Sequence, residues 1–384
     1  MRLTAGTLQK YYFAAMKDRS EGVWFFWQVI ENNVSNMWGK RFVNDIWEAD
    51  TQLTSGAASK NFWQPLVDHQ NNAWFFWQDN STTARNFWFR MYDGTQWGLE
   101  TQLTSGGTGK YNLRSFVDGA GLVWFFWHVD EGNVWNMWCK RYANGSWSEE
   151  TRLTSGPANK SFCDTKTDGS GGVWFFWQVF ESNTNNMWCR RFFNGRWSEG
   201  FQLTSGTAYK GFHRPLVDAA GSVWLFWQNS SDPGRNIWCR QHNGTGWNAE
   251  TQVTSGEIEK SFIRSFVDSK GYVWLFWFVY ENNIRTLWCK RFSGRAWQSG
   301  IKLGDNECYP RILNGGGNTW LFRDSETNIW ENLMVDGNWI TEPQIFGKIT
   351  SKRYLGSFNN ETDDAWVVWE ETAERGISVW AKKL

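Results

Sequence analysis

The sequence predicts an all-β fold, a closed β-propeller built from four-stranded antiparallel blades. Three observations carry this expectation. VWFFWQV at residues 23–29 recurs in close copies beginning at Ala73, Val123, Val173, Val223 and Val273, and in looser ones at Thr319 and Ala365. The first six copies are spaced by 50 residues without drift, and such a period means stacked supersecondary units rather than one irregular core. VWFFW is apolar on both alternating faces, so its strand must be covered on both sides. A small antiparallel sheet covered on both sides by copies of itself is a propeller blade.

Residues 151–200 serve as the specimen unit. TRLTSGPANK ends in a turn-forming Ser-Gly-Pro cluster. KSFCDTKTD (160–168) reads as an extended segment closed by the turn Asp168-Gly-Ser-Gly-Gly, and GVWFFWQVF has the aromatic and β-branched composition of a strand. Glu181-Ser-Asn-Thr-Asn reads as a loop. NMWCRRFF (186–193) alternates large and polar residues, Asn194-Gly195 is a strong hairpin turn, and WSEGFQLTS (197–205) is the fourth strand. No helical periodicity occurs in the unit. The 32 tryptophans come to about four per unit, here Trp174, Trp177, Trp188 and Trp197, and repeated core positions place them between blades.

Eight copies of the second strand predict eight blades, with seven as the alternative if residues 303–350 do not form a full sheet. Residues 1–6, MRLTAG, match the tail of a fourth strand. The C-terminal segment supplies three strands, around Lys352–Phe358, Ala365–Glu370 and Ile377–Leu384. The N-terminal strand is therefore expected to complete the last blade (352–384) and close the ring, protecting the edges that an open array exposes. Residues 1–384 are expected to form one domain.

Charge is balanced, 39 basic against 39 acidic residues, which argues against a nucleic-acid partner. No run of about 18 apolar residues marks a membrane span, and MRLTAGTLQK lacks the apolar core of a signal peptide. Cys139, Cys189, Cys239 and Cys289 share one repeat position, too far apart on neighbouring units to bridge. Free thiols suit a reducing compartment, so the cytoplasm is the default expectation, with release by a non-Sec route as the alternative. The four histidines, His69, His128, His213 and His242, fall at unrelated positions. No metal-ligand spacing, phosphate loop, dinucleotide fingerprint or nucleophile elbow is present, so neither metal nor cofactor is expected.

The unit K-x-F-x₄-V-D-x₂-G-x-V-W-F-F-W, followed by N-M-W-C-K-R-F-x-N-G-x-W-S-x-E-T-Q-L-T-S-G, resembles the Trp-rich propeller repeats of many bacterial proteins. Tectonin-like and fucose-lectin-like propellers are among them, and sialidase-type propellers are more distantly similar. The resemblance covers nearly the whole chain as a blade pattern. The sialidase Asp-box is not matched, because Asp118 and Gly121, or Asp268 and Gly271, are separated by two residues instead of one. In the lectin groups the sugar sits between adjacent blades on Trp or Tyr, with Arg and Glu nearby; no complete lectin signature occurs here.

Two sets of residues are candidates for function. The first is Glu31, Glu131, Glu181 and Glu281 after the second strand, with Asn36, Asn136, Asn186 and Asn236 opening the third. Planar polar groups beside tryptophan suit sugar hydroxyls and a sugar ring face, and repetition would confer multivalency. Asn80-Ser81 and Ser230-Ser231 stand at the glutamate place in the second and fifth copies. The alternative is that Glu and Asn decorate an exposed loop. The second set is the fifth position of the first strand, expected nearest the channel: Ala14, Gln64, Arg114, Asp164, Arg214 and Arg264, with Arg311 at or next to the matching place. Arginines approaching one axis could bind a carboxylate or phosphate bidentately, as sialidases do. The alternative is a charged, water-filled channel with Asp164 pairing an arginine. The recurring Lys160/Asp168 pair, repeated as Lys10/Asp18 and Lys260/Asp268, reads as structural, with Asp at the turn and Lys solvated or in an ion pair.

Together these features predict a non-enzymatic, lectin-like recognition protein with a glycan partner. A protein-interaction scaffold is the first alternative and a sialidase-like glycoside hydrolase the second.

Overall fold

The computed structural model describes residues 10–383 apart from 21, 45, 182, 306–310, 316–317, 325–328, 336–337, 342–350, 360–364 and 374–375. Among the described residues all regular structure is β. Eight antiparallel sheets follow one another along the chain, numbered here 1 to 8; the first seven have four or five strands and the last has three. In each, the strands pair in sequence order, except that in the five-stranded sheets 1, 3 and 4 the fifth pairs with the third. Sheet 3 is representative, with Lys110–Val117, Val123–Asp130, Trp135–Ala143, Ser146–Trp147 and Thr151–Arg152.

The strands form where aromatic and β-branched residues cluster, and the turns where glycine, asparagine and aspartate do. Asn194 and Gly195 have φ of 50° and 79°, as a two-residue hairpin turn with positive φ at both places requires. Two expectations need correction. The fourth strand is not continuous: in sheet 4, Arg196–Trp197 and Phe201–Gln202 pair separately with Thr184–Phe193. Residues 181–185 are not a loop either, because Glu181 pairs with Thr184 and both strands run up to a tight turn. Residues 303–350 include four strands, Arg311–Gly315, Asn318–Asp324, Ile329–Val335 and Asn338–Thr341. Sheet 8 comprises Ser351–Asn359, Ala365–Ala373 and Gly376–Lys383, and residues 1–6 lie outside the described residues.

The sheets fall into two compact units, residues 1–167 with 171–202, and residues 168–170 with 203–384. Within each, the doubly apolar second strand finds cover on both faces. In the first unit Trp24 and Phe26 of sheet 1 meet Phe75 and Trp77 of sheet 2. Trp74 and Phe76, on the opposite face of sheet 2, meet Phe125 and Trp127 of sheet 3. Trp124 and Phe126 then meet Phe175 and Trp177 of sheet 4. The second unit repeats the scheme, with Trp224 and Phe226 against Leu275 and Trp277. Because the side-chain period of a strand is two, alternate residues of one VWFFW segment serve two different interfaces.

Three polar devices hold this aromatic frame. The aspartate that closes the first strand accepts backbone N–H groups on Oδ1 and an indole N–H on Oδ2. Asp118 takes Ala120 and Leu122 at 2.9 Å and Trp124 Nε1 at 2.8 Å, and Asp268 takes Trp274 at 2.8 Å in the same way. A threonine hydroxyl accepts the N–H that opens the third strand and donates to an asparagine, as Thr154 does to Met137 N and Asn136 Oδ1. The lysine at the start of the first strand is buried in sheets 2 to 6, which corrects the expectation of a solvated or ion-paired side chain for Lys160 and Lys260; the Lys10 side chain lies outside the described residues. Lys110 Nζ donates to Thr108 O (3.0 Å), Lys160 to Gly156 O (2.7 Å) and Lys260 to Gly256 O (3.0 Å). Carbonyls of the turn before the strand satisfy the buried ammonium there. Lys60 in addition pairs with Asp79 at 3.2 Å. Cys139, Cys239 and Cys289 carry buried thiols with no disulfide, and burial pushes Cys239 and Cys289 up to about 12.

Candidate functional site

The glutamates that follow the second strand do not share one environment. Glu131 in sheet 3 is satisfied from within. It accepts Trp138 Nε1 at 2.8 Å and Asn136 Nδ2 at 3.0 Å, and it pairs with Arg152. In sheet 5, Asp232 takes the corresponding indole of Trp238 at 2.7 Å; the sequence reading overlooked this carboxylate because it stands one place later. Glu31, Glu181 and Glu281 are exposed.

Around Glu281 the internal partners are diverted. Lys302, at the place of Arg152, bonds Asp305 at 2.7 Å, and Thr286, at the place of Asn136, bonds the same carboxylate at 2.5 Å. The Lys302 and Thr286 hydrogen bonds hold Asp305 below the usual carboxylate range. Glu281 makes no hydrogen bond or ion pair with a described residue. It opens onto a cleft of about 390 Å³ between sheets 5 and 6, lined by Trp277, Trp288, Ile258, Glu257 and Lys260 among others. Lys260 and Lys290 line the cleft but are held by carbonyls, Lys290 Nζ by Val253 O at 2.8 Å. Two tryptophans, the buried Trp277 and the half-buried Trp288, and a carboxylate without an internal partner therefore line one concave surface. Such a surface can accept a ring that is apolar on one face and carries hydroxyl donors at its rim.

The asparagines are placed as framework groups. Asn36 and Asn136 accept from Thr54 and Thr154 at 3.1 Å, and Asn236 accepts from Thr254 (3.3 Å) while donating to Gly256 O (3.2 Å). Asn136 and Asn236 are buried. Asn186 occupies the same register, opposite Val179.

Apart from Ala14, the fifth positions of the first strands are polar, none is fully buried, and they divide by unit. In the first unit Gln64 bridges to the next strand, accepting Ser115 N–H on Oε1 at 3.0 Å. Arg114 and Asp164 line an open cleft of about 700 Å³ with His69, Thr165 and Lys166. Asp164 pairs with its neighbour Lys166 at 2.9 Å and not with an arginine, as the charged-channel alternative had it. In the second unit Arg214 donates to His213 O at 2.9 Å, and Arg264 lies over the Phe262 ring at 5.2 Å. Ala14 leaves this place apolar in sheet 1. Among the described residues no group of three or more His, Cys, Asp or Glu is arranged to hold a metal ion, and no helix is long and apolar enough to cross a membrane.

No protein-family model matches the chain, and no curated protein does. Solved structures do. The polysaccharide lyase Uly1 aligns at a TM-score of 0.50 and 10% identity, over 83% of this chain and 89% of that one. A prolyl endopeptidase aligns at 0.51 and 13%, over 95% of this chain and 54% of that one, so the chain spans about half the length of that enzyme. The microbial sialidase Hz136 aligns at 0.38 and 12%, over 68% of this chain and 66% of that one. At these identities the first two likenesses are ones of fold: all-β repeats of small antiparallel sheets.

Proposed function

We propose that the protein is a recognition module that binds glycans, without chemistry, in clefts between neighbouring sheets, and that the cleft at Glu281 is its best-formed site. One observation carries this reading: Glu281 and Trp288 stand in an open cleft without the internal partners that close the equivalent Glu131 and Trp138. In sheet 3 three N–H donors converge on Glu131. At Glu281 the hydroxyls of a vicinal diol supply equivalent donors, while the apolar face of the sugar ring lies on indole. Glu31 and Glu181, exposed at the same repeat position, are secondary sites, so binding is weak per site and strengthened by multivalency. The same proposal includes closure of the sheets into one eight-bladed ring, with residues 1–6 completing the last sheet. It rests on the sequence repeat.

A glycan array followed by calorimetry tests the reading. A hit with more than one site per chain is expected, and Glu281→Gln should weaken binding by about tenfold or more, the worth of a charge-assisted hydrogen bond. A blank array would sink the glycan reading and favour a protein scaffold. A hit untouched by Glu281→Gln and Trp288→Ala would move the site elsewhere.

A further inference from the structure

One place in the repeat, just before the short strand that follows the tryptophan hairpin, is an acid in four sheets and glycine in two. Asp50, Glu100, Glu150 and Glu250 stand there in sheets 1, 2, 3 and 5, and Gly200 and Gly300 in sheets 4 and 6. In sheets 2 and 3 the acid ties its sheet to the Ser-Gly turn that leads in from the sheet before. Glu100 accepts from Ser55 Oγ at 2.8 Å, and Glu150 from the Ser105 N–H at 3.2 Å. Ser255 and Gly300 hold the same two places in sheet 6, and both line the Glu281 cleft. Glycine at residue 300 cannot make that cross-link.

The backbone does not require glycine at either place. Neither Gly200 nor Gly300 has a positive φ, and a Cβ on either would meet its nearest atom at 3.5 Å, an ordinary contact distance. That atom belongs to the Trp177 ring for Gly200 and to the Trp288 ring for Gly300. The glycines therefore leave out a side chain that would begin against an indole. The second-strand tryptophan registers the difference. Trp27, Trp77, Trp127 and Trp227, in the sheets with an acid, are 0–1% exposed, whereas Trp177 and Trp277 are 4% exposed. Sheet 4 shares the other features of the Glu281 cleft. Glu181 is exposed and its carboxylate makes no hydrogen bond or ion pair with a described residue. Gln202 stands in place of Arg152. Arg190 Nε, 3.7 Å from where the Cβ of residue 200 would be, is buried without a hydrogen-bond partner.

We propose that this place is the gate of each cleft: a carboxylate there seals the indoles, and glycine opens them, so that Gly200 and Gly300 single out the clefts at Glu181 and Glu281 as the two full sites. Each of these clefts combines an opened indole with a carboxylate that has no internal partner. Glu31 has an exposed carboxylate, but the indole of Trp27 in its sheet is sealed. The gate works by steric access to an aromatic surface, the part of a concave site that sets how much of a ring can be buried. That the ligand is a glycan rests on the reading above; access to the indoles does not.

Limited oxidation of the full chain by N-bromosuccinimide, read by peptide mass spectrometry, tests the gate, and a glycan array probed with the same variants tests what it admits. In the parent, the pairs Trp177/Trp188 and Trp277/Trp288 should oxidise before Trp127/Trp138. Gly300→Glu should slow Trp277 and Trp288 to the rate of Trp127 and Trp138. Trp177 and Trp188 should keep their rate in that variant, which also shows that it is folded. Gly300→Ala, which adds a methyl group and no carboxylate, should leave both fast pairs fast, and Glu150→Gly should quicken the pair in sheet 3. On the array, Gly200→Glu combined with Gly300→Glu should lose most of the parent's signal, and the corresponding double alanine variant should keep it. The oxidation pattern without any array signal supports the gate and counts against glycans as what it admits. Equal rates for the three pairs in the parent, or no slowing in Gly300→Glu, overturns the proposal.

Discussion

At position 128 the repeat carries histidine where sheets 1, 2 and 5 carry Gln28, Gln78 and Gln228. Each of those glutamines donates through Nε2 to the carbonyl of the lysine that opens the next sheet, Gln78 to Lys110 O at 2.6 Å. His128 is 2% exposed and neither ring nitrogen makes a hydrogen bond of normal geometry. Burial pushes it from 6.5 down to about 4, with the Arg114 charge acting the same way against an upward pull from the Lys160 backbone. The unfolded chain therefore takes up a proton near pH 6.5 that the folded chain refuses until about pH 4. Stability from this residue is complete above about pH 6.5 and is lost as pH falls toward 4. With those two values the loss is about 2 kcal/mol at pH 5 and about 3 kcal/mol at pH 4. His128→Gln removes the titration and restores the hydrogen bond of the other copies. Urea denaturation of parent and variant at pH 7.5 and pH 5 measures it, with the contribution of His213, also pushed down to about 4 by burial, common to both. His128→Phe, copying the buried Phe278 of sheet 6, should show the same flattened pH response without the added hydrogen bond. If parent and both variants lose equal stability between the two pH values, the reasoning about a desolvated neutral imidazole is wrong.

Arg152→Gln removes one of the three donors on Glu131 and frees part of its hydrogen-bonding capacity, so it should add one weak glycan site per chain by calorimetric stoichiometry, at a stability cost under about 1 kcal/mol because the Arg152–Glu131 pair is partly exposed. Unchanged stoichiometry would mean that the ion pair is not what closes sheet 3. Asp118→Asn leaves either two backbone N–H groups or the Trp124 indole without its acceptor and should cost about 1–3 kcal/mol by urea midpoint. Asn at the turn with full stability would show that the carboxylate is not the lock. Deleting residues 1–6 should lower the melting temperature by several degrees if they complete the last sheet, and an unaltered melting curve would count against closure.

The blade-like sheets were legible in the sequence because a period of two imposed on VWFFW leaves no face for water, and the 50-residue spacing repeats that demand. The Asp118 turn was legible too, since aspartate three residues before the turn glycine Gly121 has few other uses. Lys160 was not. A lysine in sequence advertises charge, and only the folded turn shows that the carbonyls around it replace water. The left-handed Phe62, Phe212 and Phe262 were equally hidden, because nothing in the residue type announces a bulge that phenylalanine disfavours. Among the fifth positions, the sequence singled out the arginines but could not say which share an environment; Gln64 bonds its neighbour and Asp164 its own Lys166.

The difference between Glu131 and Glu281 is the most instructive case, because the cause lies in neither glutamate. In the first five copies the fourth strand ends in Leu-Thr-Ser-Gly or Val-Thr-Ser-Gly, and its threonine clamps the start of the third strand, as Thr154 clamps Met137 N and Asn136. Sheet 6 reads Leu303-Gly304-Asp305 instead. With no threonine to fold back, the strand runs on as Ile301–Asp305 and brings Asp305 opposite Thr286, with a register shift between Leu287 and Trp288. Asp305 then captures both Lys302 and Thr286, the two residues that would have engaged Glu281. A change at Leu303–Asp305, 22 to 24 residues downstream, thus leaves a carboxylate and a half-buried indole lining an open cleft where another copy holds them shut. Residue-by-residue comparison at the glutamate position ranks the copies as equal. Following where each cation is held separates them, and a selective loss of glycan binding in Glu281→Gln, with Glu131→Gln unaltered in affinity, is the pattern this route demands.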